Sequence, residues 1–311
     1  MVQIENPSDS VLFSQRSAGR LRCRAMATVC QPSALIDTDR YPIAVGGRRR
    51  DDAVAAVRSA LADDGCAVLP GFLSPTGCRE LLAEAVEREP RAFYNPANEA
   101  NVHLGDADPS LPDDHPCNRF FSRTNGFVRA DEWDHTTHAR RLYDWQPLKD
   151  FLQDCLGKDE LHVYEDPVSN MIVNVQRTGQ EFNWHFDTNE FTITMLLQPA
   201  DEGGLFEYVP DLRSPLDENE AGVTAVLNGD RTNVRTIDLR PGDLQFFLGR
   251  FSLHRVTPNG GAATRLLLIM SFSETSGSVG SVQRTRSLYG KVTEEHLAAA
   301  AAPVRADALL D

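Results

Sequence analysis

Asn183-Trp184-His185-Phe186-Asp187, followed after a short break by Phe191-Thr192-Ile193-Thr194-Met195-Leu196-Leu197, is the stretch on which the fold turns. Both segments have strand length and strand character. Side chains two apart share one face of a strand, so His185 and Asp187 point one way and Trp184 and Phe186 the other. The polar pair looks into a β-structure, and the aromatic pair looks into packing.

Similar short segments lie on either side, at 161–164, 171–176, 204–208, 234–238, 243–248, 253–256 and 264–272. Turn-forming pairs separate many of them: Asp166-Pro167, Gly203-Gly204, Pro241-Gly242 and Asn259-Gly260. A succession of short strands with no helical period between them predicts antiparallel pairing in a jelly roll or barrel.

Upstream the period is helical. Val54, Val57 and Leu61 form one stripe over 51–63, with Gly65 placed to cap it. A short strand is expected at 66–69. Ser74-Pro75 is a helix start, because Ser accepts an orphan N–H and Pro suits the first turn. A helical pair is expected over 137–156, interrupted by Pro147 and ended by Gly157. The fold class is therefore α+β and mainly β, with the N-terminal helices packed on one sheet. Residues 1–45 read as a loosely ordered extension and 46–290 as a single domain, with a helical part at 46–157 and a jelly-roll core at 160–275. Residues 291–311 read as a helical, Ala-rich tail. Residues 90–135, rich in Pro, Asn, Asp and Gly, read as either a functional loop region or a poorly ordered one.

Composition narrows the function. Lys plus Arg number 31 and Asp plus Glu 45, a formal charge of −14. That balance argues against a broad phosphate-binding surface, and so against nucleic acid or an anionic membrane as partner. A small molecule is the expected partner. The six cysteines include no C-x-x-C pair, and no apolar stretch of signal-peptide length opens the chain. Both features point to a reduced, cytoplasmic protein.

The second chemical signal is Leu253-His254-Arg255-Val256-Thr257-Pro258-Asn259-Gly260-Gly261-Ala262-Ala263-Thr264-Arg265. Asn259-Gly260 between two apolar runs predicts a two-residue hairpin, which sets His254 opposite Arg265. Taken singly, His254 reads as an ordinary strand histidine and Arg265 as half of an ion pair. Taken with His185 and Asp187, they read as a metal centre. Two His and one carboxylate occupy one face of an octahedral iron(II) and leave three positions open. A nearby guanidinium offers a rigid fork to a carboxylate.

With Glu202-Gly203-Gly204-Leu205-Phe206-Glu207 and Arg240-Pro241-Gly242-Asp243-Leu244 added, the chain resembles the iron(II)/2-oxoglutarate-dependent dioxygenases over residues 160–275. It is similar in particular to the bacterial branch that contains free-amino-acid halogenases and related hydroxylases. The resemblance implies a double-stranded β-helix, the cupin-like jelly roll. It implies Fe(II) held by His185, Asp187 and His254, with 2-oxoglutarate and O2 as co-substrates. It further implies that the distal carboxylate of 2-oxoglutarate rests on Arg265, with Asn174 and Thr194 assisting, and that no catalytic side chain is needed beyond the metal centre. Halogenases of this branch carry a small residue at the carboxylate position, which leaves room for chloride. Asp187 fills that room, so the expectation is a hydroxylase. It would oxidise an unactivated C–H of an amino acid or related metabolite and release succinate and CO2. The apolar run Leu266–Met270 departs from the amino-acid-specific pattern. Arg119, Arg123, Ser271 and Tyr289 are the substrate candidates. The alternatives are a halogenase or other oxidative outcome on the same scaffold, and a non-enzymatic cupin-like metal-binding module.

Overall fold

The structure, a computed structural model, describes residues 30–300 and 309–310. In chain order its elements begin with α1 (Arg48–Asp64), β1 (Cys66–Leu69) and α2 (Pro75–Arg88). Short strands β2 (Phe93–Tyr94), β3 (Glu99–Ala100), β4 (Phe121–Ser122) and β5 (Gly126–Val128) follow, then α3 (His138–Tyr143) and α4 (Gln146–Leu156). The β-rich half runs β6 (His162–Val163), β7 (Met171–Gln176), β8 (Phe182–His185), β9 (Thr192–Gln198) and β10 (Phe206–Val209). It continues through α5 (Glu220–Leu227), β11 (Arg235–Ile237), β12 (Leu244–Phe247), β13 (Leu253–Val256), β14 (Arg265–Met270) and β15 (Phe272–Ser273). Helices α6 (Val282–Tyr289) and α7 (Glu294–Ala299) close the described chain.

Two antiparallel sheets form the jelly roll. The larger has the order β1-β12-β9-β14-β7-β5-β2, and the smaller β11-β10-β13-β8. Period-two alternation sorts the larger sheet into two faces. Met171, Val173, Val175, Ile193, Met195, Leu244, Phe246, Leu266, Leu268 and Met270 pack in one core with Val57, Leu61, Leu81, Leu148 and Phe151 of the helices. Residues of the opposite parity, among them Asn174, Thr194, Gln245, Leu267 and Ile269, line a cavity whose other wall is the smaller sheet. Strand β14 is covered on both faces and buries side chains of both parities, which explains the uninterrupted Leu266–Met270 run. Only Leu267 and Ile269 of that run reach the cavity.

The local signals act as their chemistry dictates. Gly65 adopts φ +63° and caps α1 through Leu61 O. The Ser74 Oγ accepts the Gly77 N–H at 3.0 Å, with Pro75 in the first turn of α2. Pro147 corrects one expectation: it opens α4 in its first turn, where no N–H is required of it, and interrupts no helix. Residues 30–45 correct another. They are packed, with Leu35, Ile36, Tyr41 and Ile43 buried in the main core. Residues 1–29 of the expected extension, and most of the 300s of the expected tail, lie outside the described residues. Among the described residues no helix is long and apolar enough to cross a membrane.

The Asn259-Gly260 hairpin does not form. Strand β13 pairs with β10 and β8, while β14 pairs with β7 and β9, so the two strands belong to different sheets. Asn259 is fully buried at the crossing between them. Its amide donates to Gln176 O and Ala263 O, and its Oδ1 accepts the Gly261 N–H. Three hydrogen bonds in a buried corner outweigh the local preference for a tight turn.

Candidate metal centre and its cavity

Strand β8 ends at His185, two residues earlier than its alternation suggests. Beyond it the Phe186 N–H bonds to Val102 O at 2.8 Å, and the Asp187 N–H to Gly249 O at 3.0 Å. The faces are nonetheless kept. Trp184 and Phe186 pack together with Leu253 and Val223, while His185 and Asp187 line the cavity. His254 stands directly across from His185 in the β13–β8 register. Their ring centroids are 4.1 Å apart.

The two imidazoles are held alike. His185 Nδ1 lies 2.7 Å from Asn183 O, and His254 Nδ1 lies 3.0 Å from Ser252 O, each the carbonyl two residues back. A carbonyl only accepts, so each Nδ1 carries the proton and each Nε2 presents a lone pair. Burial first, then the repulsion the two adjacent imidazoles would suffer if both were protonated, holds His185 well below the usual histidine range. Burial likewise lowers His254, against the Asp187 carboxylate, which opposes the shift. Both rings are therefore neutral, the state a metal ligand requires.

Asp187 completes the cluster. Its Oδ1 is 3.7 Å from His254 Nε2, and its Oδ2 accepts the Thr192 hydroxyl at 2.8 Å. One atom each from His185, Asp187 and His254 lies within 4.8 Å of the others. Two imidazole nitrogens and one carboxylate oxygen, with a hydrogen-bonded second layer, suit a divalent transition metal.

Arg265 sits deeper, in register with Gln176 of β7 and not with His254. It shares the inner face of β14 with Leu267 and Ile269, and it lines a small recess walled by Phe206, which also lines the main cavity. Its guanidinium is buried and its Nη1 has no hydrogen-bond partner. Burial alone pushes its pKa down to about 10. A buried cation without a counter-charge is costly unless a ligand supplies one.

Asn174 and Thr194 line the cavity. The Asn174 Oδ1 is buried without a partner, and the Thr194 hydroxyl donates to Gln245 Oε1 at 3.0 Å. Of the substrate candidates, Ser271 and Tyr289 line the cavity. Arg123 lies behind the wall, with its guanidinium over the Phe127 and Phe182 rings. Arg119 does not reach the cavity. It packs over Phe121 and donates to Leu227 O near α5. The cavity measures about 140 Å³.

Sequence reasoning missed Gln245 and Arg284. Gln245 was legible only as a polar residue inside an otherwise apolar strand. Arg284 comes from α6, whose start is marked by Ser281, the side chain of which accepts the Arg284 N–H at 3.2 Å. Its Nη2 donates to Phe186 O at 3.4 Å and stands 4.0 Å from Asp187 Oδ1.

No curated protein matches the chain. Among solved structures it is similar to the epimerase SnoN from nogalamycin biosynthesis, described as non-heme and α-ketoglutarate dependent. Identity is 16%, coverage 72% of this chain and 81% of that one, and the TM-score 0.49. It is similar to AviO1 from Streptomyces viridochromogenes Tue57 at 16% identity, over 75% of this chain and 98% of that one, with a TM-score of 0.49. It is similar to HygX from Streptomyces hygroscopicus, solved with nickel, 2-oxoglutarate and hygromycin B, at 15% identity. That match covers 70% of this chain and 86% of that one, with a TM-score of 0.47. The family model described as Halogenase D matches residues 120–287, which run from β4 into α6 and contain every side chain of the His–Asp–His cluster together with Arg265 and Arg284. This chain belongs to the Halogenase D family.

Proposed function

We propose that the protein is an iron(II)- and 2-oxoglutarate-dependent oxygenase that hydroxylates an unactivated C–H of a small molecule, with residues 46–290 as its single catalytic domain. One observation carries the reading. Two neutral imidazoles and a carboxylate converge in one cavity, and a buried guanidinium without a counter-charge lies in the adjoining recess.

His185, Asp187 and His254 would hold the metal, and Arg265 the distal carboxylate of 2-oxoglutarate, with Asn174 and Thr194 beside it. The orphaned, buried Arg265 Nη1 is the observation in favour of an anionic occupant. When bound there, iron(II) and 2-oxoglutarate would supply O2 activation, with succinate and CO2 as by-products. The chain's own work is positioning. The carbonyls of Asn183 and Ser252 fix the two rings, and Thr192 fixes the carboxylate. Phe127, Phe182, Phe206, Phe247 and Leu267 make the walls apolar and exclude water.

The family description allows halogenation as the second reading. The presence of Asp187 favours hydroxylation, because a third protein ligand occupies the position a halide would take.

The test is an iron(II) titration of the protein under anaerobic conditions, followed by a screen for 2-oxoglutarate-dependent succinate formation. The screen covers amino acids, nucleotides and carrier-bound acids. Tight binding that is lost in His185→Ala, and succinate release stimulated by a screened compound, are the expected results. Equal iron affinity in wild type and His185→Ala overturns the site.

A further inference from the structure

The cavity has a polarity of its own. Its lining holds a single cation, Arg284, and a single carboxylate, Asp187. Asp187 is committed to the metal centre under the oxygenase reading, on which this inference rests. Arg284 is then left with one long hydrogen bond, to Phe186 O, and no other acid within ion-pair distance among the described residues. Its side chain is mostly buried, at 15% exposure.

A second guanidinium reinforces it. Arg123 is buried behind Phe127, Phe182 and Tyr289. Its Nη1 makes one long bond to Ser287 O, and its Nε and Nη2 have no partner. The one buried acid nearby, Asp166, is already engaged. It accepts from the N–H groups of Val168, Ser169 and Gly280 and pairs with His296 at 2.9 Å. A chain with a net charge of −14 thus places two unneutralised arginines at one end of its cavity. Low-dielectric walls focus such a field onto whatever enters.

We propose that Arg284 binds a carboxylate of the substrate, so that the substrate class is a small monoanionic acid with a largely apolar body. A planar fork matches a carboxylate in two-point geometry. Leu104, Phe127, Leu288 and Tyr289 supply the apolar wall around it. No carboxylate of the lining is free to receive a cationic side chain. Arg284 Nη2 stands 4.0 Å from a metal-ligand oxygen. A carboxylate on its fork would therefore lie beside the metal centre.

The test uses the full chain with iron(II) and saturating 2-oxoglutarate, kept anaerobic, so that the Arg265 recess is occupied. The probes are C4–C8 aliphatic and aryl monocarboxylates and their primary amides, and binding is read by ligand-observed NMR titration. The acids are expected to bind at least about tenfold tighter than their amides. In Arg284→Gln that ratio should fall to within about threefold, with Arg284→Lys intermediate, because Lys keeps the charge and loses the fork. If Arg284→Gln does not fold, the fall in Arg284→Lys carries the test. A ratio near one in wild type, a ratio that survives in the variants, or no binding by any probe overturns the proposal. So does a variant that weakens 2-oxoglutarate and leaves the ratio intact, since Arg284 would then serve the co-substrate. The oxygenase reading fails separately, if iron(II) and 2-oxoglutarate give no visible charge-transfer absorbance in the wild-type protein.

Discussion

A Cβ on Gly249 would stand 2.2 Å from Asp187 Oδ2 and 2.8 Å from its Cγ. The same glycine accepts the Asp187 N–H through its carbonyl. Residue 249 therefore sets where the carboxylate lies, both by what it bonds and by what it lacks. Gly249→Ala must displace the Asp187 side chain from His185 and His254. We expect a 10–100-fold loss of iron(II) affinity, about what loss of a supporting contact costs a metal site. Isothermal titration of the variant against wild type measures it, and unchanged affinity would show that the carboxylate is not a ligand.

The carboxylate also bears on reaction outcome. With Asp187 in place, turnover in the presence of chloride or bromide should give no halogenated product by mass spectrometry. Asp187→Gly opens the position and should at the same time weaken iron binding at least about tenfold. Halogenated product from the wild-type protein would reverse the preference for hydroxylation.

Arg265 is buried without a counter-charge, so its removal should separate stability from binding. Arg265→Met is expected to leave the Tm of the ligand-free protein unchanged or to raise it, because a lone buried cation costs more than an apolar side chain of similar length. The same variant should lose 2-oxoglutarate affinity by about a hundredfold, as one buried charge-assisted contact of roughly 3 kcal/mol implies. The Tm rise that added 2-oxoglutarate should give in wild type should vanish. A large drop in ligand-free Tm would assign Arg265 a structural role instead.

His103 predicts an acid limb. It is buried, stacked against Phe186 with ring centroids 6.1 Å apart. Burial first, then the nearby Arg213, His115 and Arg284, pushes its pKa down to about 3 from the ordinary 6.5. The unfolded chain takes up this proton below pH 6.5 and the folded protein does not. The stability linked to His103 is therefore complete above pH 6.5 and falls as pH drops towards 3. Denaturant melts with chelator present should show wild type losing stability over that window more steeply than His103→Phe. Parallel acid limbs would contradict the assignment.

The legible part of the site was its local part. His185 and Asp187 could be read together because same-face positions in an extended chain are fixed by backbone geometry, and this held although β8 ends at His185. Asn174 and Thr194, named from the family resemblance, also line the cavity. The pairing of His254 with Arg265 failed because it rested on a local turn preference alone. A fully hydrogen-bonded Asn259 at a sheet crossing overrode it. Arg119 was misplaced because an irregular segment carries no period from which to assign a direction.

What the sequence by itself determined was most of the strands of the 160–275 core, their faces and the caps of α1, α2 and α4, since these follow from interactions spanning a few residues, whereas β2 to β5 and α5 lie where no strand or helix was expected. Which strands became neighbours was decided only in the folded molecule. His254 faces His185 across 69 residues of chain because β8 and β13 lie side by side in the smaller sheet. Arg284 reaches Asp187 because α6 closes over the cavity. Such contacts depend on burial shared by the whole core, and no local propensity encodes that.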